Sequence, residues 1–556
     1  MKSAVRELID THLAEFARKA SILLPDDFQF DLDQPKKKEH GDVASNFAFR
    51  LAKSSKQNPI QVAQKAKDFF LEICRRDPKL NSIVKDIQVA GPGFLNFFLT
   101  ETSLTQVLRQ IWQENENYGC TDFGQNEKVV VEFVSANPTG PLTIAHGRQA
   151  VVGDTLGNLL KKTGYYVHRE YYLNDRGVQI QILGLSVYLR YLELLGEKRE
   201  FPETGYQGDY IRDLAKHVLE KDGKKLKEMA ETEALAIFSK FAAETILNDI
   251  KNDLKRLAVH FDEYFSEQSL SEKNLIKKVL EELKKRGFTY EKEGAFWFRS
   301  TDFGDDKDRV LIKSNGEYTY LTPDIAYHEE KFKRGFHRIV NLWGPDHHGY
   351  VARVKAACQA LGHNPDQVNV LIVQLTTLYR KGEPVRMSTR AGEFVTLKEL
   401  MDEVGVDATR FFFLMRKIES HLDFDLELAK QKTDENPVYY VQYAHARISS
   451  ILKFSELPVD PKADISLIRE SEELDVVKLL ANFPELLNQA AEYLEPYRVI
   501  DYLRELATSF HKFYASHRVV NPDPELTKAR LFLVACIQRV LRNGLQILGV
   551  SHPEKM

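Results

Sequence analysis

The sequence predicts a multidomain α/β protein. A doubly wound, Rossmann-type parallel sheet occupies the middle of the chain, with an α+β unit before it and an all-helical domain after it. Three observations carry this. Residues 128–135 (KVVVEFVS) form an almost continuous apolar run, as a strand buried on both faces requires. A Pro/Gly turn follows, then a helix marked by Val151, Val152, Leu156, Leu159 and Leu160, then a second strand starting near Gly164, which is βαβ spacing. From about residue 400 to the end, apolar residues recur with the 3.6-residue period of packed helices.

Taken in order, the elements divide the chain into regions. Residues 1–112 read as a small α+β unit. It has a helix over 3–20 (Val5, Leu8, Ile9, Leu13, Phe16), a second over 42–53, and a strand–turn–strand at 87–99 around Gly91-Pro92-Gly93. The polar stretch 113–125 reads as a linker. Residues 125–400 form the doubly wound domain, with a charged helical insertion at about 190–290 and sheet-like segments returning at 295–298, 310–312, 339–343 and 368–374. A connecting stem over 401–434 leads to the helical domain, 435–556. With 556 residues the chain has room for three or four domains at roughly 150 residues each.

Composition narrows the function classes. A net charge of −4 means that any nucleic-acid surface must be a local patch on an acidic whole. The four cysteines lie apart with no C-x-x-C pair, which argues against a zinc site and a disulfide framework and points to a reducing compartment. The amphipathic, charged start MKSAVRELIDTHLAEF has no apolar core of a signal segment, and no run has the apolar length of a membrane span; a cytoplasmic protein without membrane contact is expected.

Two segments carry chemistry. Ser135-Ala136-Asn137-Pro138-Thr139-Gly140-Pro141-Leu142-Thr143-Ile144-Ala145-His146-Gly147-Arg148 runs from a strand end into a helix start. There, backbone N–H groups and the helix dipole favour phosphate, and His146 and Arg148 are candidate donors. By spacing alone it reads equally well as a strand–helix turn with a surface histidine. The second segment spans 378–392. Its four cations within eleven residues (Arg380, Lys381, Arg386, Arg390) suit a loop that neutralises a triphosphate; alone, it reads more readily as an exposed basic loop.

Together these segments resemble the two signatures of class I aminoacyl-tRNA synthetases: the "HIGH" motif at Thr143-Ile144-Ala145-His146 and the "KMSKS" loop at Arg386-Met387-Ser388-Thr389-Arg390. Longer stretches resemble the arginyl branch: Ser135 to Leu142, Glu170 to Gly177, Tyr320 to Tyr327, Trp343 to Tyr350, His40-Gly41-Asp42, Gly91 to Phe94 and Val441 to Arg447. They cover almost the whole chain in order.

The resemblance implies ATP-dependent attachment of L-arginine to its tRNA through an arginyl-adenylate, on a chain that acts as a monomer. It implies that ATP, brought with Mg2+, is a substrate, with no zinc and no permanently bound cofactor. It assigns phosphate chemistry to Thr143, His146, Arg386, Ser388 and Arg390. ATP contacts fall to Asn137, Pro138, Thr139, Gly140, Pro141, Ala145, Gly147, Gly344, Asp346, His347, His348 and Met387. Arginine contacts fall to Glu132, Ser135, Asn137, Gln179, Tyr320 and Asp324, the two carboxylates gripping the planar guanidinium by paired, charge-assisted hydrogen bonds. The C-terminal domain is implied to bind the anticodon through Tyr440, Tyr443, Arg447, Tyr514 and Met556, with His445 on phosphate, and the N-terminal unit to touch the tRNA elbow through Asn96, with Phe94 and Phe97 beside it.

The signatures depart from the family pattern. Thr143 and Ala145 replace a histidine and a glycine, and Arg386, Thr389 and Arg390 replace lysine, lysine and serine, so Arg386, Arg390 and Lys381 are expected to take over the missing charge. Two other readings share these motifs: another class I synthetase, and a catalytically inactive tRNA-binding paralogue.

Overall fold

The apolar stripe of the first helix, Lys2–Lys19, is buried at every position the periodicity marks, from Val5 to Phe16. A computed structural model of the chain describes residues 2–33, 35, 37–175, 177–385 and 395–556. The first helix and the helices Phe47–Ser55 and Pro59–Arg76 belong to one unit with a four-stranded antiparallel sheet. Its strands are β1 (Leu32–Asp33), β2 (Val43–Ser45), β3 (Val84–Ala90) and β4 (Phe94–Leu99), in the order β1-β2-β4-β3. Residues 42–53 are therefore not one helix. Val43 and Ser45 are buried against β4, the Asn46 side chain accepts from the Asp31 N–H at 2.8 Å, and helix begins only at Phe47.

The stretch 113–125 is packed, not a free linker. Tyr118 is buried with its hydroxyl donating to the Leu480 carbonyl (2.7 Å), and Gly119, at φ +94°, lies where a Cβ would come within 2.7 Å of the Phe483 ring. This ties the start of the central domain to the C-terminal helices.

The central sheet contains β5 (Lys128–Glu132), β6 (Tyr166–Leu173), β7 (Glu263–Ser266), β11 (Arg338–Trp343) and β12 (Val368–Ile372). All are parallel, in the order β12-β11-β5-β6-β7. Helix Ile144–Lys162 joins β5 to β6, and helices Val178–Leu194, Asp209–Asp222 and Glu231–Arg256 lie between β6 and β7. The insertion at 190–290 thus carries the sheet's edge strand, a four-residue strand too short to stand out among charged helices. The segments 295–298 and 310–312 do not join this sheet. They form β9 (Ala295–Phe298) and β10 (Arg309–Ile312) of a separate antiparallel sheet with β8 (Thr289–Lys292).

After β12 the chain forms β13 (Thr376–Arg380), β14 (Glu383–Pro384) and β15 (Leu422–Asp425), with β13 in the middle. The last domain packs helices Pro437–Phe454, Ser471–Glu492, Tyr497–Ser516 and Pro524–Leu548. Pro524–Leu548 has the length and apolarity of a membrane span, but most of it is buried inside this bundle. Arg410, fully buried, ties the regions together: it donates to the Leu548 carbonyl (2.7 Å), the Leu257 carbonyl (2.8 Å) and Asp154 Oδ2 (2.6 Å). Of the four cysteines, Cys74, Cys358 and Cys536 are buried and Cys120 is exposed.

Candidate active site

Strand β5 has β6 on one side and β11 on the other, so the crevice at the carboxyl ends of β5 and β11 is the topological switch point at which ligands of such sheets bind. Glu132 ends β5, in register with Asn341 of β11 and Glu170 of β6. Directly after it, Val134 (φ 68°) and Ser135 (φ 42°) both adopt left-handed backbone, a conformation costing a β-branched residue about 1–3 kcal/mol. The turn is held by its contacts. Ser135 Oγ donates to Glu132 Oε1 (3.1 Å) and accepts from the Tyr172 N–H (3.1 Å), while the Tyr171 hydroxyl donates to the Ala136 carbonyl (2.7 Å). The proton of Ser135 is thus committed to orienting Glu132. Further along, Asn137 Nδ2 donates to Gln179 Oε1 at 2.6 Å, and Tyr210 donates to the Thr139 carbonyl at 2.8 Å, with its ring over Gly140. The loop 135–142, including Pro138 and Pro141, is thereby braced by two helices that follow β6.

Thr143 caps helix Ile144–Lys162, and its N–H donates to His146 Nδ1 at 3.2 Å. Burial pushes the imidazole down to about 4, so the ring is neutral near pH 7 and carries its proton on Nε2, a donor at the helix N-terminus next to Ala145. Gly147 lets helix Ile144–Lys162 approach Leu397 and Phe413 closely, since a Cβ there would stand 2.7 Å from Leu397 Cδ1. Arg148 does not serve phosphate. It is fully buried and donates to the carbonyls of Gln374 (2.8 Å), Ser420 (3.0 Å) and Lys417 (3.0 Å). It clamps the signature helix to the segments leading into β13 and β15.

The basic-loop residues Arg386, Met387, Ser388 and Arg390 lie outside the described residues. Beyond them, Thr396 pairs with Thr143 in an isolated bridge and the Leu397 N–H donates to the Leu142 carbonyl at 2.8 Å, so the chain re-enters beside the first signature. Lys381 is exposed at the tip between β13 and β14. Across the crevice, Gly344 and the exposed Asp346, His347 and His348 follow β11, with His347 Nε2 3.4 Å from Asp346.

Asp324 sits in the first turn of helix Leu321–Lys333. Burial, with Glu132 and Glu267 nearby, raises its carboxyl to about 7; the Tyr350 hydroxyl beside it opposes the shift. It forms no ion pair among the described residues. Its carboxyl and that of Glu132 therefore share one electrostatic environment. Tyr320, at the helix start, is 82% exposed and packs against neither carboxylate in this state.

The residues that sequence reasoning missed lie on the same helix. Lys331, fully buried, donates to Glu132 Oε2 at 2.6 Å and Asn341 Oδ1 at 3.0 Å. Asn341 in turn donates to His328 Nε2 (2.8 Å), which leaves His328 Nδ1–H for the Asp324 carbonyl (2.8 Å). The signal was present: Asp324, His328 and Lys331 fall at i, i+4 and i+7, so they share one face of the helix, apart from the exposed Lys333. Glu170 closes a second buried group, accepting from Tyr327 (2.6 Å) and Arg334 (2.5 and 2.9 Å).

In the C-terminal domain Tyr443, Arg447, Tyr514 and Met556 line one cleft of about 970 Å³, together with the exposed Phe454. Arg447 donates to the Tyr443 hydroxyl (3.1 Å) and lies 5.0 Å over the Tyr514 ring. Tyr440 packs beside this cleft on His511, with ring centroids 4.9 Å apart. His445 is not a phosphate contact; it is buried and holds the Pro553 carbonyl at 3.0 Å. In the N-terminal unit Phe97 is fully buried in the core and offers RNA no surface, Asn96 is buried on β4, and Phe94 is partly exposed.

Three family models match consecutive parts of the chain: arginyl tRNA synthetase N terminal domain over residues 4–99, tRNA synthetases class I (R) catalytic domain over 106–421, and DALR anticodon binding domain over 441–556. The chain is 48% identical over 531 residues to an arginine–tRNA ligase of Citrifermentans bemidjiense, covering 95% of each, and 46% identical over 564 residues to one of Desulfosudis oleivorans, covering 100% of each. Its fold is similar to that of the Thermus thermophilus arginyl-tRNA synthetase, with a TM-score of 0.77 over 100% of both chains at 22% identity.

Proposed function

The chain belongs to the arginyl-tRNA synthetase family, and from that premise we propose how its residues divide the work. The reaction is that of an arginine–tRNA ligase of class I: arginine is joined to its tRNA using ATP. In the reading favoured here, the arginine carboxylate attacks the α-phosphate of ATP, forming arginyl-adenylate and releasing pyrophosphate. The terminal ribose hydroxyl of the tRNA then takes the arginyl group and AMP leaves. What supports this assignment is that Glu132, ending β5 at the switch point, lies near enough to Asp324 to raise its carboxyl.

The chain's residues act mainly by positioning and by stabilising charge. Glu132 and Asp324 grip the guanidinium, and Asn137, braced by Gln179, holds the α-amino end. The neutral His146 offers Nε2–H to phosphate with the N-terminus of its helix behind it, and Gly344, Asp346, His347 and His348 line the nucleotide side. Mg2+ arrives with ATP as part of the substrate. Arg386 and Arg390 supply the charge that the missing signature lysine would carry, with Ser388 and Met387 beside them. Arg390→Ala is expected to cut ATP–pyrophosphate exchange, measured with arginine and tRNA present, by about 2–4 kcal/mol, or roughly 30- to 900-fold. Unchanged exchange removes Arg390 from this role. We further assign the N-terminal unit to the tRNA elbow and the C-terminal helices to the anticodon, on a monomer acting in the cytoplasm.

The arginine site should titrate. Only the ionised Asp324 carboxylate pairs with the guanidinium, and its carboxyl is raised to about 7. Arginine affinity is therefore full above that value and is expected to weaken about tenfold per pH unit as the pH falls below it. His146, held near 4, stays neutral across the same range and adds no transition. Calorimetric Kd values between pH 5.5 and 8 check this; a flat profile sinks it.

The C-terminal cleft gives a separate test. Base stacking on an aromatic ring contributes about 1–3 kcal/mol per base, so Tyr514→Ala is expected to raise the KM for tRNA roughly 5- to 150-fold while leaving the KM for arginine and ATP unchanged. Aminoacylation of bulk tRNA with each of the twenty amino acids in turn tests the whole reading. Arginine alone should be charged, and charging with any other amino acid instead would overturn it.

A further inference from the structure

Lys331 is the least expected group in the pocket: a lysine ammonium with no exposed surface, directly against a carboxylate that the reading above gives to the substrate. Its surroundings form a complete ammonium site. Glu132 Oε2 accepts at 2.6 Å, Asn341 Oδ1 accepts at 3.0 Å, and the face of Tyr327 lies 4.1 Å from Nζ. A carboxylate, an amide carbonyl and an aromatic face satisfy a compact point cation with three donors. The site is also fixed in place. Asn341 cannot turn its oxygen away, because its amide nitrogen is held by His328, which is anchored on the Asp324 backbone. Glu132 cannot rotate freely, because its other oxygen is held by Ser135.

The neighbouring charges are accounted for in the same manner. Glu170, one strand over, is hydrogen-bonded by Arg334 and Tyr327 and acts on Lys331 through charge rather than by a hydrogen bond. For a ligand there remain the unused lone pairs of Glu132, which keeps 7% of its surface exposed, and the carboxylate of Asp324, with Glu267 adding negative charge nearby. Two carboxylates suit a flat, forked cation better than a single ammonium, which is satisfied best at the position Lys331 already occupies.

We propose that Lys331 is a specificity-determining positioning residue, whose ammonium permanently fills the point-cation site on Glu132 and so shuts substrate lysine out of the pocket while leaving the carboxylate edges for a guanidinium. This rests on Glu132 and Asp324 being the guanidinium grip. It goes further, because it makes the chain's own lysine the device that rejects the other long cationic amino acid.

The test compares lysine and arginine on the full-length enzyme. The Ki of lysine, as a competitor of arginine in aminoacylation, is divided by the KM of arginine. In Lys331→Ala the vacated site is open to a substrate ammonium, so the Ki of lysine itself is expected to fall about tenfold or more, and the ratio with it, with the KM for ATP unchanged; a ratio lowered only by a higher arginine KM counts against the proposal. Lys331→Gln keeps a donor beside Glu132, so the fold survives if the alanine variant is unstable; it lacks the cation and should narrow the ratio in the same direction. Lys331→Arg, which keeps a cation there, should retain the rejection of lysine. An unchanged ratio in both the alanine and the glutamine variants overturns the proposal, even if arginine binding weakens. Asp324→Asn run in parallel separates the two readings. If that variant keeps its arginine KM, the pocket assignment itself fails; if it loses arginine while the Lys331 variants keep the ratio, only the role of Lys331 fails.

Discussion

Asp324→Asn is expected to lower kcat/KM for arginine by roughly 140- to 3700-fold, while leaving the KM for ATP within about twofold. The size follows from removing one partner of a desolvated ion pair, which costs about 3–5 kcal/mol, at 1.4 kcal/mol per factor of ten. Asparagine is nearly isosteric, so the pocket keeps its shape. What changes is that an acceptor-only carboxylate becomes an amide whose NH2 group faces the guanidinium. Because the helix Leu321–Lys333 holds the residue by backbone hydrogen bonds and by His328 on its carbonyl, the loss should appear in substrate binding and not in stability. Steady-state kinetics varying arginine and ATP separately, with a thermal unfolding scan as control, decide the matter. A loss under tenfold, or an equal loss for ATP, removes Asp324 from the arginine site.

The second large effect is on stability. Arg410→Met is expected to destabilise the protein by about 3–5 kcal/mol, read as a lower urea midpoint. The guanidinium is wholly buried, with Asp154 and the carbonyls of Leu548 and Leu257 as partners, and Gly549 packs so closely that a Cβ there would sit 2.4 Å from a guanidinium nitrogen. Methionine fills the volume but leaves the Leu548 and Leu257 carbonyls without this donor and leaves Asp154 with only Asn158 and Arg169 beside it. Arg410→Lys should not rescue fully, since a single ammonium at the end of a flexible stem does not reproduce the planar fork that meets three partners at once. Indistinguishable unfolding curves for wild type and Arg410→Met would refute this account of how the signature helix, the insertion and the last helix are joined.

The parts of this architecture that were legible in the sequence are those written locally. The β5 run, the Pro/Gly turn after it and the helix stripe from Val151 to Leu160 each declare themselves within one turn or strand, and the resemblance of whole segments did the rest. What stayed hidden depends on pairing over long distances. Strand β7 is four residues long and half-buried, and only its pairing with β6 makes it a strand. Arg148 reads as a phosphate donor and Arg410 as an ordinary cation, because nothing nearby in sequence announces the distant carbonyls that enclose them. His445 looked like an RNA contact for the converse reason: its partner, the Pro553 carbonyl, is 108 positions away. The pair of left-handed residues at Val134 and Ser135 was equally unreadable. No glycine marks it, and the conformation persists because Ser135 is held from Glu132 and Tyr172 together.

The uneven burial of the four thiols has a practical use. Cys120 is the exposed one, and it stands one residue after the glycine wedged on Phe483, at the seam between the start of the central domain and the C-terminal helices. A maleimide dye applied to the native enzyme therefore reports from that seam without any cysteine having to be engineered in or out. Its reactivity and fluorescence would report directly on how that seam is packed.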